Sequence, residues 1–302
     1  MRTPSLTLNI IGAGRLGKTL ARLWQEQGVF TVVGLCNRSH ESTQAAADFI
    51  GAGDVYSDIM SMPEADCWLI ATGDSEIASS AHRLAERFSA RGSLKSTRAE
   101  NLPLIFHCSG ALPAAALNAC RPAAIASAHP VHSFADPERS LTTLQGSTVA
   151  LEGDDTGTQV LRGVFAMLGC DTLSLSPEQK LLYHTGSVMA CNYLTVLLDL
   201  SLQTLAAAGI DEQTARKLLE PIVTQTVRNN FALGPAHALT GPVARGDTET
   251  VQKQLQALQK TDRTIAEIYR QLGLAGVELA QKTGLSDNQA NQLQSILREQ
   301  AK

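Results

Sequence analysis

Apolar residues in the first 175 positions fall in short blocks of strand length, and in the rest of the chain they recur at helical spacing. Residues 6–11 form an apolar run that ends in a glycine-rich turn, after which Leu16, Leu20, Leu23 and Trp24 repeat at helical intervals until Gly28. Further runs at 30–36, 67–71, 104–108, 124–128 and 148–151 read as strands, with helix-like stretches between the earlier ones, including one at 75–89. Alternating strands and helices predict a doubly wound parallel sheet. The polar stretch 90–101 is expected to be a mobile loop.

The pattern changes after a last strand at 172–175. Ser176-Pro177-Glu178-Gln179 combines an N-cap serine, proline at the first helical position and glutamine three residues after the cap, which together start a helix. The domain boundary is placed there, giving domains 1–175 and 176–302. The new helix can run to Gly209, a spine of roughly 48 Å at 1.5 Å per residue. Helices follow at 211–219, 221–232, 248–258, 262–282 and 286–300, with Gly234-Pro235, Gly241-Pro242 and Gly284 as breakers.

The spacing carries chemistry at the first turn. Gly12-Ala13-Gly14-Arg15-Leu16-Gly17 is G-x-G-x-x-G between a strand and a helix. Gly12 permits the tight turn, Gly14 lets a pyrophosphate approach the backbone, and Gly17 lets helix and strand pack closely. A strand-to-helix turn without ligand is the alternative. The fold class is therefore α/β: an N-terminal Rossmann doubly wound parallel sheet followed by an all-α C-terminal domain. Some twenty residues beyond Gly17, Asn37-Arg38-Ser39 stands where an acidic residue would bind the ribose of NAD. A guanidinium and small polar groups suit a 2′-phosphate, so NADP (NADPH) is the expected cofactor, unless Arg38 is a solvated surface arginine. Thr72-Gly73-Asp74 ends the third apolar run, where its backbone lines the expected groove and Asp74 or Ser75 would cap the next helix.

Charge and composition remove several classes. The net charge is −4 from 25 basic and 29 acidic residues, without a basic run, so no nucleic-acid partner is expected. Hydrophobic residues make up 44% and charged residues 18%, which suits a globular chain. The run after Met1-Arg2-Thr3-Pro4-Ser5 is broken by Asn9 and glycines, unlike a signal peptide. No uninterrupted run reaches the ~18 apolar residues of a membrane span, so no membrane partner is expected. Cys36, Cys67, Cys108, Cys120, Cys170 and Cys191 are far apart with no C-x-x-C pair, pointing to reduced thiols and a cytoplasmic location.

His107-Cys108-Ser109-Gly110 and Ala128-His129-Pro130-Val131-His132-Ser133 end successive strands, bringing three of the seven histidines to the expected nicotinamide edge. A metal site on His107, His129 and His132 is a rival reading, but no carboxylate or cysteine completes a ligand set, and no metal is expected.

These segments, with Tyr183-His184, Asn192-Tyr193 and the loop Thr240-Gly241-Pro242-Val243-Ala244-Arg245-Gly246-Asp247, resemble proteins with a Rossmann-like domain followed by a C-terminal domain of unknown function. That group, often labelled NADP oxidoreductase, sits in the 6-phosphogluconate dehydrogenase C-terminal-like superfamily. More distantly the chain is similar to pyrroline-5-carboxylate reductase, ketopantoate reductase, β-hydroxyacid dehydrogenases, prephenate dehydrogenase and deazaflavin-dependent NADP oxidoreductases. Ser109 matches a strand-end serine of prephenate dehydrogenase, and His129-Pro130 its catalytic His-Pro. Val131-His132-Ser133-Phe134 departs from the Gly-Thr-Glu that follows there. Val188 stands where the β-hydroxyacid dehydrogenases have a lysine, whereas Asn192 matches their helix asparagine.

The expected function is hydride transfer between NADP(H) and a small polar metabolite, a carbonyl or imine on one side and an alcohol or amine on the other. His129 would move the proton, Ser109 would assist, and His107 and His184 are reserve candidates. Asn192, Arg245 and Asp247 would come from the helical side, although a loop salt bridge and a helix cap explain the last two equally well. An NADP(H) sensor without turnover and a deazaflavin-dependent enzyme are the alternatives. The apolar faces of Val196, Leu197, Leu200, Leu205, Leu272, Val277 and Leu279 suggest a homodimer through the helical domain.

Overall fold

The computed structural model describes residues 5–94 and 102–298. Residues 95–101 of the polar loop, and 299–300 of the last expected helix, lie outside them. The chain divides into two compact units, Met1–Ala190 and Cys191–Lys302.

In the first unit the elements are β1 (Leu6–Ile11), α1 (Arg15–Glu26), β2 (Phe30–Cys36), α2 (His40–Ile50), β3 (Asp54–Val55), β4 (Cys67–Ile70), α3 (Asp74–Arg91), β5 (Leu104–His107), β6 (Ala124–Pro130), α4 (Pro137–Thr143), β7 (Thr148–Gly153), α5 (Asp155–Ala166), β8 (Asp171–Ser174) and the start of α6 (Pro177–Ala207). Sheet order is β3-β2-β1-β4-β5-β6-β7-β8, so the strand order reverses between β1 and β4, the crevice where such sheets take ligands. Every residue of β4 and β5 is buried, as strands covered on both faces require. On one face Trp24 packs edge-on against Phe30 and Phe165, and on the other Trp68 meets Phe88. Each such side chain, fully buried, contributes about 1.5–3 kcal/mol.

The sheet is not wholly parallel. β7 runs antiparallel to β6, with His129 opposite Ala150 and Ser127 opposite Glu152. The link between them leaves and returns at one edge, where the Val131 N–H donates to Thr148 O (2.8 Å), so the strand must run back. Apolar periodicity reports burial and is blind to strand direction. The two-residue β3 carried no apolar run and escaped the sequence reading.

α6 begins where the capping signals place it, and Gln179 Oε1 accepts from the Ser176 N–H (2.8 Å). Its 31 residues have length and composition sufficient to cross a membrane, with a mean hydropathy of 1.3 over an 18-residue window. Counting uninterrupted apolar runs misses this, because His184, Thr185, Ser187 and Asn192 punctuate the helix. Lys180 is its one buried side chain.

The second unit holds the rest of α6, then α7 (Glu212–Leu233), α8 (Pro235–Ala238), α9 (Pro242–Arg245), α10 (Thr248–Thr261), α11 (Arg263–Gln281) and α12 (Asp287–Arg298). The two helices expected at 211–219 and 221–232 are one, with Pro221 inside it. Proline removes a single rung of the ladder there, and the helix continues on both sides. Gly234 and Gly241 break helices as expected, but each also opens a short new one with proline at its start. Val251, Val277, Leu293 and Leu297 form the core.

Candidate active site

The glycine turn follows from backbone geometry. Gly12 has φ +85°, and a Cβ there would stand 2.7 Å from Thr72 N, so only glycine fits. Its N–H donates to Cys36 O (2.9 Å). Asn37 acts as a strut: Oδ1 accepts from the Ala13 N–H (2.6 Å) while Nδ2 donates to Ser42 O (2.9 Å). A Cβ on Gly17 would lie 3.1 Å from Gly12 O and from Ala71 Cβ, which lets α1 close on the turn, and Leu16 packs onto the core beneath. Gly14 caps α1 with no side-chain bond, and a Cβ on it would meet nothing within 4 Å. The first-turn N–H groups of α1 and the positive end of its dipole thus have no side-chain cap, and Gly14 and Arg15 are exposed beside them.

Thr72, packed against Gly12, has its Oγ1 buried with no hydrogen-bond partner among the described residues. Such an orphaned atom beside an uncapped helix end is what a bound polar group would satisfy. Arg38 is exposed, and Ser39 caps α2, accepting from the Ser42 N–H (3.2 Å). The cap expected of Asp74 or Ser75 is not formed. Gly73 takes that position on α3, and Asp74 Oδ2 accepts instead from Ser109 Oγ (2.8 Å).

Ser109 is a hub. Besides Asp74, its hydroxyl accepts from the N–H groups of Ala111 (3.2 Å) and Leu112 (3.0 Å), and its own N–H donates to His107 Nδ1 (3.1 Å). His107 is fully buried, with Nε2 on Pro113 O at 3.2 Å. Burial pushes its pKa down to about 4, the Pro113 bond opposing and the Lys180 charge assisting. With both ring nitrogens committed to the backbone, His107 is a structural residue and not a reserve acid.

His129 and His184 meet over Gly110, edge-on with ring centres 5.4 Å apart. His129 Nδ1 bonds Tyr183 Oη (2.8 Å), and burial pushes that phenol up to about 12, so it keeps its proton. Burial pushes His129 down to about 4; the charges of His184 and Lys180 act the same way and Asp74 opposes them. His184 Nδ1 is buried without a partner among the described residues.

Lys180, overlooked in the sequence, is fully buried, and its Nζ donates to Ser127 Oγ (2.7 Å) and Ser109 O (3.2 Å). Burial lowers its pKa, while the charges of Glu152, Cys108 and Asp74 act to raise it. A lysine in the first turn of a helix opposes the dipole, and that misplacement was the signal available.

The remaining candidates are dispersed. His132 bonds Thr143 Oγ1 and Ser147 Oγ (both 3.3 Å), and among the described residues no group of three His, Cys, Asp or Glu could hold a metal ion. Asn192, Arg245 and Asp247 belong to the second unit. Asn192 and Arg245 are exposed. Asp247 caps α10, accepting from Thr250 N (3.0 Å) and Oγ1 (2.7 Å), bonds that hold its carboxyl below the usual range.

A sheet that reverses order at a glycine turn and is followed by a helical C-terminal domain is the fold of the Rossmann oxidoreductases with a helical second domain. Residues 147–276 match the family model described as "Domain of unknown function (DUF2520)". Among solved structures the chain is similar to the "putative NADP oxidoreductase BF3122" from Bacteroides fragilis, at 21% identity and TM-score 0.73, covering 91% of this chain and 99% of that one. Protein TM1727 from Thermotoga maritima shares 22% identity with TM-score 0.68, again over 91% and 99% of the two chains. The pyrroline carboxylate reductase of Plasmodium falciparum, solved with NADP bound, shares 12% identity with TM-score 0.58, over 97% and 99%. These likenesses are of fold. No curated protein matches the chain.

Proposed function

We propose that the chain is an NADP(H)-dependent oxidoreductase that moves a hydride between the nicotinamide and a small polar metabolite, a carbonyl or imine in one direction and an alcohol or amine in the other. The observation that carries this reading is the uncapped N-terminus of α1 at Gly14 together with the orphaned Thr72 Oγ1, whose residue packs on Gly12 of the same turn, at the strand ends where His129 also stands. The first-turn amides of α1 would hold the phosphates and Arg38 the 2′-phosphate. The structures similar in fold include a reductase with NADP bound, which supports the same choice.

When bound, NADPH supplies the hydride. The chain's own residues manage the proton that must follow it. His129 is the group suited to this, since one ring nitrogen is held by Tyr183 while Nε2 lies over Gly110. With the ring proton on Nδ1 donated to Tyr183 Oη, Nε2 of the uncharged ring takes up the proton released when an alcohol or amine is oxidised, and the imidazolium so formed returns it from Nε2 to the oxygen or nitrogen of a carbonyl or imine being reduced. Ser109 has its donor and both acceptor positions spent on Asp74, Ala111 and Leu112, so it shapes the turn instead of touching substrate. A screen of carbonyl and imine metabolites for loss of NADPH absorbance, run beside a binding titration, tests the reading. Failure to bind NADPH at millimolar concentration would overturn it.

One observation favours a second reading, an NADP(H) sensor without turnover: His107, Ser109 and Lys180 direct their polar atoms to protein partners, leaving few free groups at the edge. Tight NADPH binding with no activity across the screen would select it.

A further inference from the structure

We propose that Lys180 is a positioning residue of this site: from the first turn of α6, its ammonium ties the end of β5 to β6 and thereby sets the seat and charge surroundings of His129. The inference rests on the reading of His129 as the proton-transfer residue.

The first support is cost. The ammonium is sealed from solvent, and both of its hydrogen-bond acceptors, a hydroxyl and a carbonyl, are uncharged. Burying a charge against neutral partners is unfavourable, and a methionine would fill the same volume without that penalty. A cost of this kind, kept at a strand end beside two histidines, makes the position a candidate for a functional role.

The second support is where the two bonds end. Ser109 precedes Gly110, the residue over which the imidazoles of His129 and His184 meet. Ser127 is two residues before His129 on β6 and so shares its face of the sheet. On α6, Tyr183 and His184 follow Lys180 by three and four positions, which puts all three on one helix face. One turn of helix therefore delivers the cross-link, the phenol that holds His129 Nδ1, and the second imidazole.

The third is charge. The ionisable groups acting on His129 are Lys180, His184 and Tyr183 from α6 and Asp74 from α3. Of these, Lys180 brings a positive charge that opposes a proton on His129, and Asp74 pulls the other way. The lysine thus biases His129 toward its uncharged form.

The test is an NMR titration of the His129 imidazole in the full chain, with the signal assigned by its loss in His129→Asn. It needs no turnover, so failure here and failure of the oxidoreductase reading are separable. Lys180→Met should raise the titration midpoint by roughly 0.5–1 unit, and Lys180→Arg should return it toward the parent value. A folded Lys180→Met with the parent's midpoint would overturn the proposal, as would an equal rise in Lys180→Arg. Should Lys180→Met fail to fold, Ser127→Ala decides, because it removes the nearer acceptor of the ammonium and keeps the lysine. A changed His129 shift and midpoint supports the cross-link, and unchanged ones refute it.

Discussion

A Cβ on Gly110 would stand 2.9 Å from His129 Nε2, inside contact distance, so the missing side chain of one residue is the seat of the other. Gly110→Ala should push the imidazole off the strand edge. We expect turnover to fall at least tenfold with NADPH affinity within threefold of the parent, and stability to drop by about 1–3 kcal/mol, the usual cost of overpacking. Steady-state kinetics and a denaturant melt check both; parent-like turnover would show that the seat is not needed.

Replacing the imidazole itself is more severe. His129→Asn should lower turnover by about 10²- to 10⁴-fold, the range for losing a proton-transfer group, with little change in cofactor binding. Turnover within threefold of the parent across pH 6–8 would pass the role to His184 or bound water.

Cofactor choice is tested at the end of β2. Arg38→Ala should weaken NADPH by about 1.5–3 kcal/mol, the scale of charged hydrogen bonds, and leave NADH nearly untouched. Equal losses by calorimetry would refute the 2′-phosphate assignment.

Stability should fall in acid for a definable reason. His107 titrates in the unfolded chain near 6.5 and in the folded protein at about 4. Its neutral form therefore favours folding fully above pH 6.5, and that advantage is lost as pH falls toward 4, by roughly 3 kcal/mol at the limit. His129 shifts in the same direction. Denaturant melts at pH 7 and 4.5 should show a smaller loss for His107→Gln than for the parent; identical losses would place the acid sensitivity elsewhere.

The helical unit is proposed to join a second copy. Val196, Leu197, Leu218, Ile222 and Phe231 are exposed along α6 and α7, Phe231 by 89%. Apolar surface on that scale calls for a partner. Light scattering at micromolar concentration should give twice the chain mass, and a monomer would end the idea.

Much of the fold was legible because burial on both faces writes continuous apolar runs, and β1, β2, β4 and β5 appear within a residue of where those runs lie. The G-x-G-x-x-G turn was legible for a related reason, since close approach demands glycine at fixed offsets. What escaped depends on partners distant in sequence. The reversal of β7 is set by a link that returns to its own edge, and the tie from Lys180 to Ser109 joins residues 71 apart. His107 and His129 look alike in sequence, both at the ends of apolar runs. Only the acceptors around each ring separate a histidine spent on the backbone from one that keeps a nitrogen free.

The antiparallel β7 has a further consequence for how this domain tolerates change. Because the strand runs back, its register puts Glu152 opposite Ser127, where its carboxylate takes the Ala114 N–H (2.6 Å) and its charge helps keep Lys180 ionised. A residue gained or lost in the 131–147 link can be absorbed by the link. The same change between Val149 and Leu151 would slip the strand by one position and turn Glu152 to the opposite face of the sheet. The lysine would then lose one of the negative charges acting on it, Asp74 remaining, with no change to any residue at the histidine edge. Length variation in β7 is thus an indirect means of altering the charge around His129, on a strand that carries neither His129 nor His184.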